Sequence, residues 1–192
     1  MNNMFDMEQH PLSMKQLQDN WGWYLALGIA MTVVGMLAIA YSWVATIFSV
    51  LYLGSILVAL GILEFIKAFK LNLWSNFFLH IFLGVLFVVG GIYLVVYPAI
   101  NAITLTLLLS IFFIVSGFLK IIFAIATKAL PHRVWLLING IITTILGIMI
   151  WSQWPVSGLW VIGLLVGIDM LFTGWTWIML SLLAKKSIKS EQ

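Results

Sequence analysis

Cysteine is absent from the 192 residues of this chain. That excludes disulfides, thiolate nucleophiles and cysteine-ligated metal, and it leaves the redox compartment open. Charge is scarce as well. Asp, Glu, Lys and Arg together make up 8% of the residues, against about 25% in a soluble domain. So few charges do not cover the surface of a water-soluble fold of this size. The net charge of +3 is no nucleic-acid signal, because the lysines sit at the ends of apolar runs. Alternating segments of about 10 residues, the mark of a membrane barrel, are also missing. Residues 1–20 lack a basic stretch followed by an apolar one, so no cleavable signal peptide is expected there. They read instead as a cytoplasmic N-terminal segment. Pro11, and Ser13 with Gln16 three residues on, fit a helix start; Leu12, Met14 and Leu17 then rest on the membrane interface, or the segment is a polar tail.

Hydrophobic residues are plentiful, at 64% of the chain. They fall in continuous runs of about 20, the length a helix needs to cross a bilayer. A helix also satisfies its own backbone hydrogen bonds in lipid. The expected fold is therefore an all-α membrane protein with spans near 23–41, 46–69, 76–97, 102–127, 133–152 and 158–183. The connections Ser42 to Ala45, Pro98 to Asn101 and Gln153 to Ser157 carry no charge. The other two carry Lys67 and Lys70, then Lys128 and Arg133. The ends carry Lys15 and, in a basic tail at 185–192, Lys185, Lys186 and Lys189. Lys120 lies in the fourth span near the same side. Positive charge marks the cytoplasmic face, so both termini are expected inside, in a bacterial inner membrane. Tyr41, Trp43, Tyr97, Trp151 and Trp154 mark the opposite ends of the spans, where aromatic rings suit the headgroup layer.

The chain also repeats, a feature that has to be found before any fold is assigned. Gly28, Gly84 and Gly140 are 56 residues apart, as are Gly35, Gly91 and Gly147, and Tyr41, Tyr97 and Gln153. In the even spans Gly61 matches Gly117 at 56 and Gly174 at 57 more. Gly54, Ser110 and Gly167 follow the same rule, one residue having been added around Pro155. Positions i and i+7 lie about 20° apart on a helix, so each span carries a ridge of small residues of the kind that lets membrane helices approach closely. Packing is the expected role of these glycines. The reading is three tandem hairpins, about 21–75, 76–131 and 132–184, within a membrane domain at 21–184. Because each copy has two spans, all three enter the membrane the same way, related by a pseudo-threefold axis along its normal. That is unlike the inverted repeats of many carriers.

The triplicated Gly-x6-Gly hairpins, the six spans and the stretch Val166-Gly167-Ile168-Asp169-Met170-Leu171-Phe172 resemble the HdeD family of acid-resistance membrane proteins. The resemblance covers about Trp21 to Leu183. It implies a role in acid stress and no catalytic residue.

Ionisable groups inside a membrane are costly to place and are functional candidates by default. Asp169 lies 11 residues into span six, about 16 Å deep at 1.5 Å per residue. Thr173 and Thr176 share its stripe. Thr143 and Thr144, with Asn139, lie at similar depth in span five, and a hydrogen bond from Asp169 to this group is expected across the third hairpin. The group is either polar glue between helices or a proton site. Glu64 and Lys67 are i and i+3 and can pair. Lys120 holds the repeat position of Glu64, so the two either pair around the axis or reach the headgroups separately. Histidine titrates near neutrality, which makes His80 and His132 candidates to sense cytoplasmic acidification. No Ser-His-Asp set, P-loop, dinucleotide fingerprint or metal-ligand spacing appears. No catalytic, cofactor-binding or metal residue is assigned, and an enzyme is not expected. The expected partners are the bilayer and a second copy or another membrane protein, with no nucleic acid. Two functional readings follow: a non-enzymatic membrane protein of acid or envelope stress, or a channel or carrier for protons or a small neutral solute.

Overall fold

The computed structural model describes residues 20–70, 74–127 and 133–190. The features read above in residues 1–19, at Lys128 and at His132 lie outside that set. Among the described residues six helices form: α1 (Trp21–Ala40), α2 (Ser42–Lys70), α3 (Trp74–Val96), α4 (Pro98–Ala126), α5 (Arg133–Ser152) and α6 (Val161–Ser190), with a short 3-10 turn at Val156–Leu159 before α6. All six are long and apolar enough to cross a membrane, as the composition predicts, and no strand occurs among the described residues. Tyr41, between α1 and α2, is the whole first connection. Pro98 opens α4 at a first-turn position, where its missing N–H costs nothing.

The chain forms two compact units, one of α1 and α6 from Leu165 onward, the other running from Tyr41 to Leu164. In the second unit α2 packs along α3 and α4 along α5, while α3 and α4 meet only slightly. In the first unit α1 packs on α6. The packed pairs are thus displaced by one helix from the tandem hairpins read in the sequence.

The reason is visible at the glycines. A Cβ built on Gly91 would lie 2.7 Å from the Gly54 carbonyl oxygen, and one on Gly61 would lie 2.9 Å from that of Gly84. Gly140 stands 2.9 Å in the same sense from the carbonyl of Gly117, and Gly147 3.0 Å from that of Ser110. In the first unit, Gly28 meets the Gly174 carbonyl at 2.9 Å and Gly35 that of Gly167 at 2.8 Å. The crossings run in opposite sequence order, so each pair is antiparallel. Any side chain there would enter the neighbouring backbone. Without one, the two main chains touch and gain dispersion and Cα–H···O contact. On α3 and α5 these glycines, Gly84 and Gly91, Gly140 and Gly147, are the only fully buried described residues of the membrane span; on α1 they are Gly28 and Gly35. The even helices bury a small residue every seventh position: Gly54, Gly61 and Ala68; Ser110, Gly117 and Ala124; Gly167, Gly174 and Ser181. The large side chains around them face outward, as they should when lipid and not water is the solvent.

Span hydroxyls donate back along their own helices: Thr32 to the Gly28 carbonyl, Ser49 to Ala45, Ser181 to Trp177. These bonds satisfy the hydroxyls within their own helices, whereas the buried Thr106 Oγ1 on α4 has no hydrogen-bond partner. At the end of the second unit away from the lysines, the starts of α2 and α4 join the 3-10 turn. Asn101 donates to the carbonyls of Tyr93 and Tyr97 at 2.9 and 2.8 Å, Ser157 to Ile150 at 2.8 Å, and the Gly163 N–H to Thr46 Oγ1 at 2.8 Å. Thr46, Val50, Ala102, Thr106 and Val161 are buried around this junction. Tyr41, Trp43, Tyr97, Trp151 and Trp154 are all exposed, as an interfacial belt requires.

Candidate functional site

The Gly61–Gly84 crossing sets the register of α2 on α3, and with it the first polar cluster. Three residues past Gly61, Glu64 comes opposite His80, four residues before Gly84. His80 Nδ1 lies 2.5 Å from Glu64 Oε2, and Lys67 Nζ donates to Glu64 Oε1 at 2.6 Å. The Glu64 side chain is 14% exposed and that of Lys67 57%, so the carboxylate is held between the helices while the ammonium reaches outward. Against an ionised carboxylate, Nδ1 carries the proton and donates.

The second cluster stands at the corresponding place on α4 and α5. Lys120 follows Gly117 by three residues, as Glu64 follows Gly61. Its Nζ donates to Asn139 Oδ1 at 2.9 Å, and Asn139 adjoins Gly140. Thr143 donates to the Asn139 carbonyl at 2.7 Å and approaches its Oδ1 at 3.4 Å. Thr144 donates to the Gly140 carbonyl at 2.9 Å. The third counterpart is aromatic. Trp177, three past Gly174, stacks on Tyr24, four before Gly28, with centroids 5.5 Å apart and planes 10° from parallel. Further out on the same helix pair, Lys185 Nζ stands 4.4 Å over the Trp21 ring, a favourable cation–π arrangement.

Several sequence expectations meet different partners here. Glu64 pairs with Lys67 as expected, but its second partner is His80, and Lys120 bonds Asn139 in place of Glu64. Residues at equal repeat positions belong to different helix pairs, so packing sets Glu64 against α3 and Lys120 against α5. Asn139 and Thr143 therefore join Lys120. Asp169 is exposed on α6 in the other unit, with Thr173 half-buried and Thr176 exposed and donating to the Phe172 carbonyl. The structural glycines are all at crossings. Sequence reasoning missed the Glu64–His80 bond, although both residues lie within two turns of the same ends of adjacent spans. It also read Asn101 as a plain loop residue. Among the described residues, no group of three or more His, Asp or Glu is placed to hold a metal ion.

A family model described as a short repeat of unknown function (DUF308) matches the chain twice, over residues 26–96 and 82–152. The second match begins and ends 56 residues after the first, the same interval that separates the glycines. Together the matches run from residue 26 to 152, about two thirds of the chain. Neither curated proteins nor solved structures give a match.

Proposed function

The chain belongs to the DUF308 short-repeat family, and on that premise we propose that it is a non-enzymatic, multi-pass protein of the bacterial inner membrane that supports survival of acid or envelope stress. Both termini lie in the cytoplasm, on the side that carries the lysines. Its membrane domain is built from three repeats with pseudo-threefold symmetry. Each family match runs from one odd helix to the next, α1 to α3 and then α3 to α5. A third copy in this register begins in α5, takes in α6 and needs one more odd helix. α1 fills that place, because Gly28 and Gly35 meet α6 as Gly84 and Gly91 meet α2.

One observation carries the non-enzymatic reading. Ionisable side chains in the second unit's spans fasten one helix to another. Glu64 ties α2 to α3 and Lys120 ties α4 to α5. A polar group spent on interhelical contact is structural glue. The stress role follows from the resemblance to the HdeD family. The test is survival of an acid challenge by cells lacking the protein, with and without the gene restored. The reading expects lower survival in the deletion and recovery on complementation. Equal survival in all three strains contradicts it.

A further inference from the structure

We propose that Lys120 and Asn139 form a binding site for the headgroup phosphate of an anionic phospholipid in the cytoplasmic leaflet. The charge inventory of the second unit points there first. Glu64 is its only acidic residue, and the sequence has no other Asp or Glu until Asp169. Glu64 is already committed to Lys67 and His80. Lys120 therefore sits in a span with no carboxylate to answer it, and its one described partner is a neutral amide.

The geometry suits a phosphate. Lys120 is six residues from the Ala126 end of α4, and Asn139 six from the Arg133 start of α5. Both are therefore about 9 Å below the helix ends, a depth from which a lysine stem reaches the headgroup layer. The pair faces outward, with Asn139 exposed and Lys120 half-exposed. An ammonium has three donors, and only one is spent on Asn139 Oδ1. The described bonds of Asn139 use its Oδ1 and its backbone carbonyl, so Nδ2 also remains to donate. An ammonium and an amide side by side match the two free oxygens of a phosphodiester. Arg133, exposed at the start of α5, adds positive field on the same side. The repeat shows that this is particular to one helix pair. At the corresponding places the α2–α3 pair compensates its cations with Glu64, and the α1–α6 pair holds the Tyr24–Trp177 stack.

The test uses the full-length protein reconstituted in phosphatidylcholine vesicles, with spin-labelled phosphatidylglycerol or spin-labelled phosphatidylcholine as probe. The fraction of each label immobilised at the protein is read by electron spin resonance. Immobilised phosphatidylcholine reports membrane insertion itself, so a protein that fails to insert is distinguished from one that inserts without selectivity. The wild type should prefer phosphatidylglycerol. Lys120→Met should lower that preference by about fivefold, the factor corresponding to ~1 kcal/mol for one lysine near an anionic surface. Lys120→Arg should retain it, as should Lys67→Met, whose charge is answered by Glu64. The proposal is overturned if Lys120→Met keeps the wild-type preference, or if Lys67→Met lowers it equally, since the effect would then be net charge and not a site.

Discussion

Gly90 and Gly91 are neighbours on α3, yet the structure gives them opposite tolerance for a single methyl group. A Cβ at Gly90 meets nothing within 4 Å, whereas one at Gly91 would lie 2.7 Å from the Gly54 carbonyl oxygen and 2.8 Å from both Val58 N and Val58 Cγ2. Two of those three atoms are backbone, so rotamer adjustment does not relieve them. Bringing 2.7 Å out to an ordinary contact of about 3.5 Å requires α2 and α3 to part by about 0.8 Å. Overpacking of that kind costs ~1–3 kcal/mol. Gly90→Ala has no such cost and removes a flexible residue from a helix interior, a change worth up to ~1 kcal/mol in stability. The two variants differ by one position and have the same composition, so detergent binding and expression effects are matched. The assay is reversible unfolding of the purified protein in mixed micelles, followed by helical circular dichroism. Gly91→Ala should be destabilised by ~1–3 kcal/mol and Gly90→Ala equal to wild type or more stable. Equal stability of Gly91→Ala and Gly90→Ala would refute close backbone contact at this crossing.

Three further outcomes follow from the same packing. His80→Leu leaves the half-buried Glu64 carboxylate with Lys67 as its only partner, so the thermal midpoint should fall; Lys67→Leu, removing the outward-reaching partner, should lower it less, and the reverse order would contradict the interhelical role of His80. Asp169 is exposed on α6, so Asp169→Leu should fold and melt as the wild type does, and a loss of folded yield would restore Asp169 as structural glue. Because α1 packs on α6, a circular permutant that joins Ser190 to Trp21 through a short linker and opens between Lys128 and Arg133 should reach the membrane folded, as judged by monodisperse size exclusion; aggregation of every such permutant, whatever the linker, would argue against the pairing of α1 with α6.

Hydropathy and charge made the six helices readable from the sequence, because a bilayer imposes a length and a polarity on each span. The Gly-x6-Gly ridges were readable too, since a seven-residue step holds one helical face. The partner of each ridge was not. A tandem repeat can be cut before or after any helix, and its period is the same either way. Only the contacts of Gly91 with Gly54, and of Gly28 with Gly174, show that the packed pair straddles the boundary drawn between repeats. The polar clusters inherited that ambiguity. Glu64 and Lys120 are equivalent in sequence, but which helix faces each depends on the pairing, so His80 and Asn139 emerged as their partners only in three dimensions. Asn101 was hidden for a different reason. Its amide replaces solvent for the carbonyls of Tyr93 and Tyr97, and a polar residue in a turn carries no sign of being buried.

The central claim is a six-span membrane protein with its basic connections in the cytoplasm, and the natural lack of cysteine allows a direct test. Single cysteines at Ala99 and Gln153, both exposed in the structure, and at Asn72 and Leu130 in the basic connections can each be challenged in intact cells with a membrane-impermeant thiol reagent, before and after permeabilisation. The account predicts labelling of Ala99→Cys and Gln153→Cys in intact cells, and of Asn72→Cys and Leu130→Cys only after permeabilisation. Labelling of Leu130→Cys in intact cells, or protection of Gln153→Cys, would contradict it.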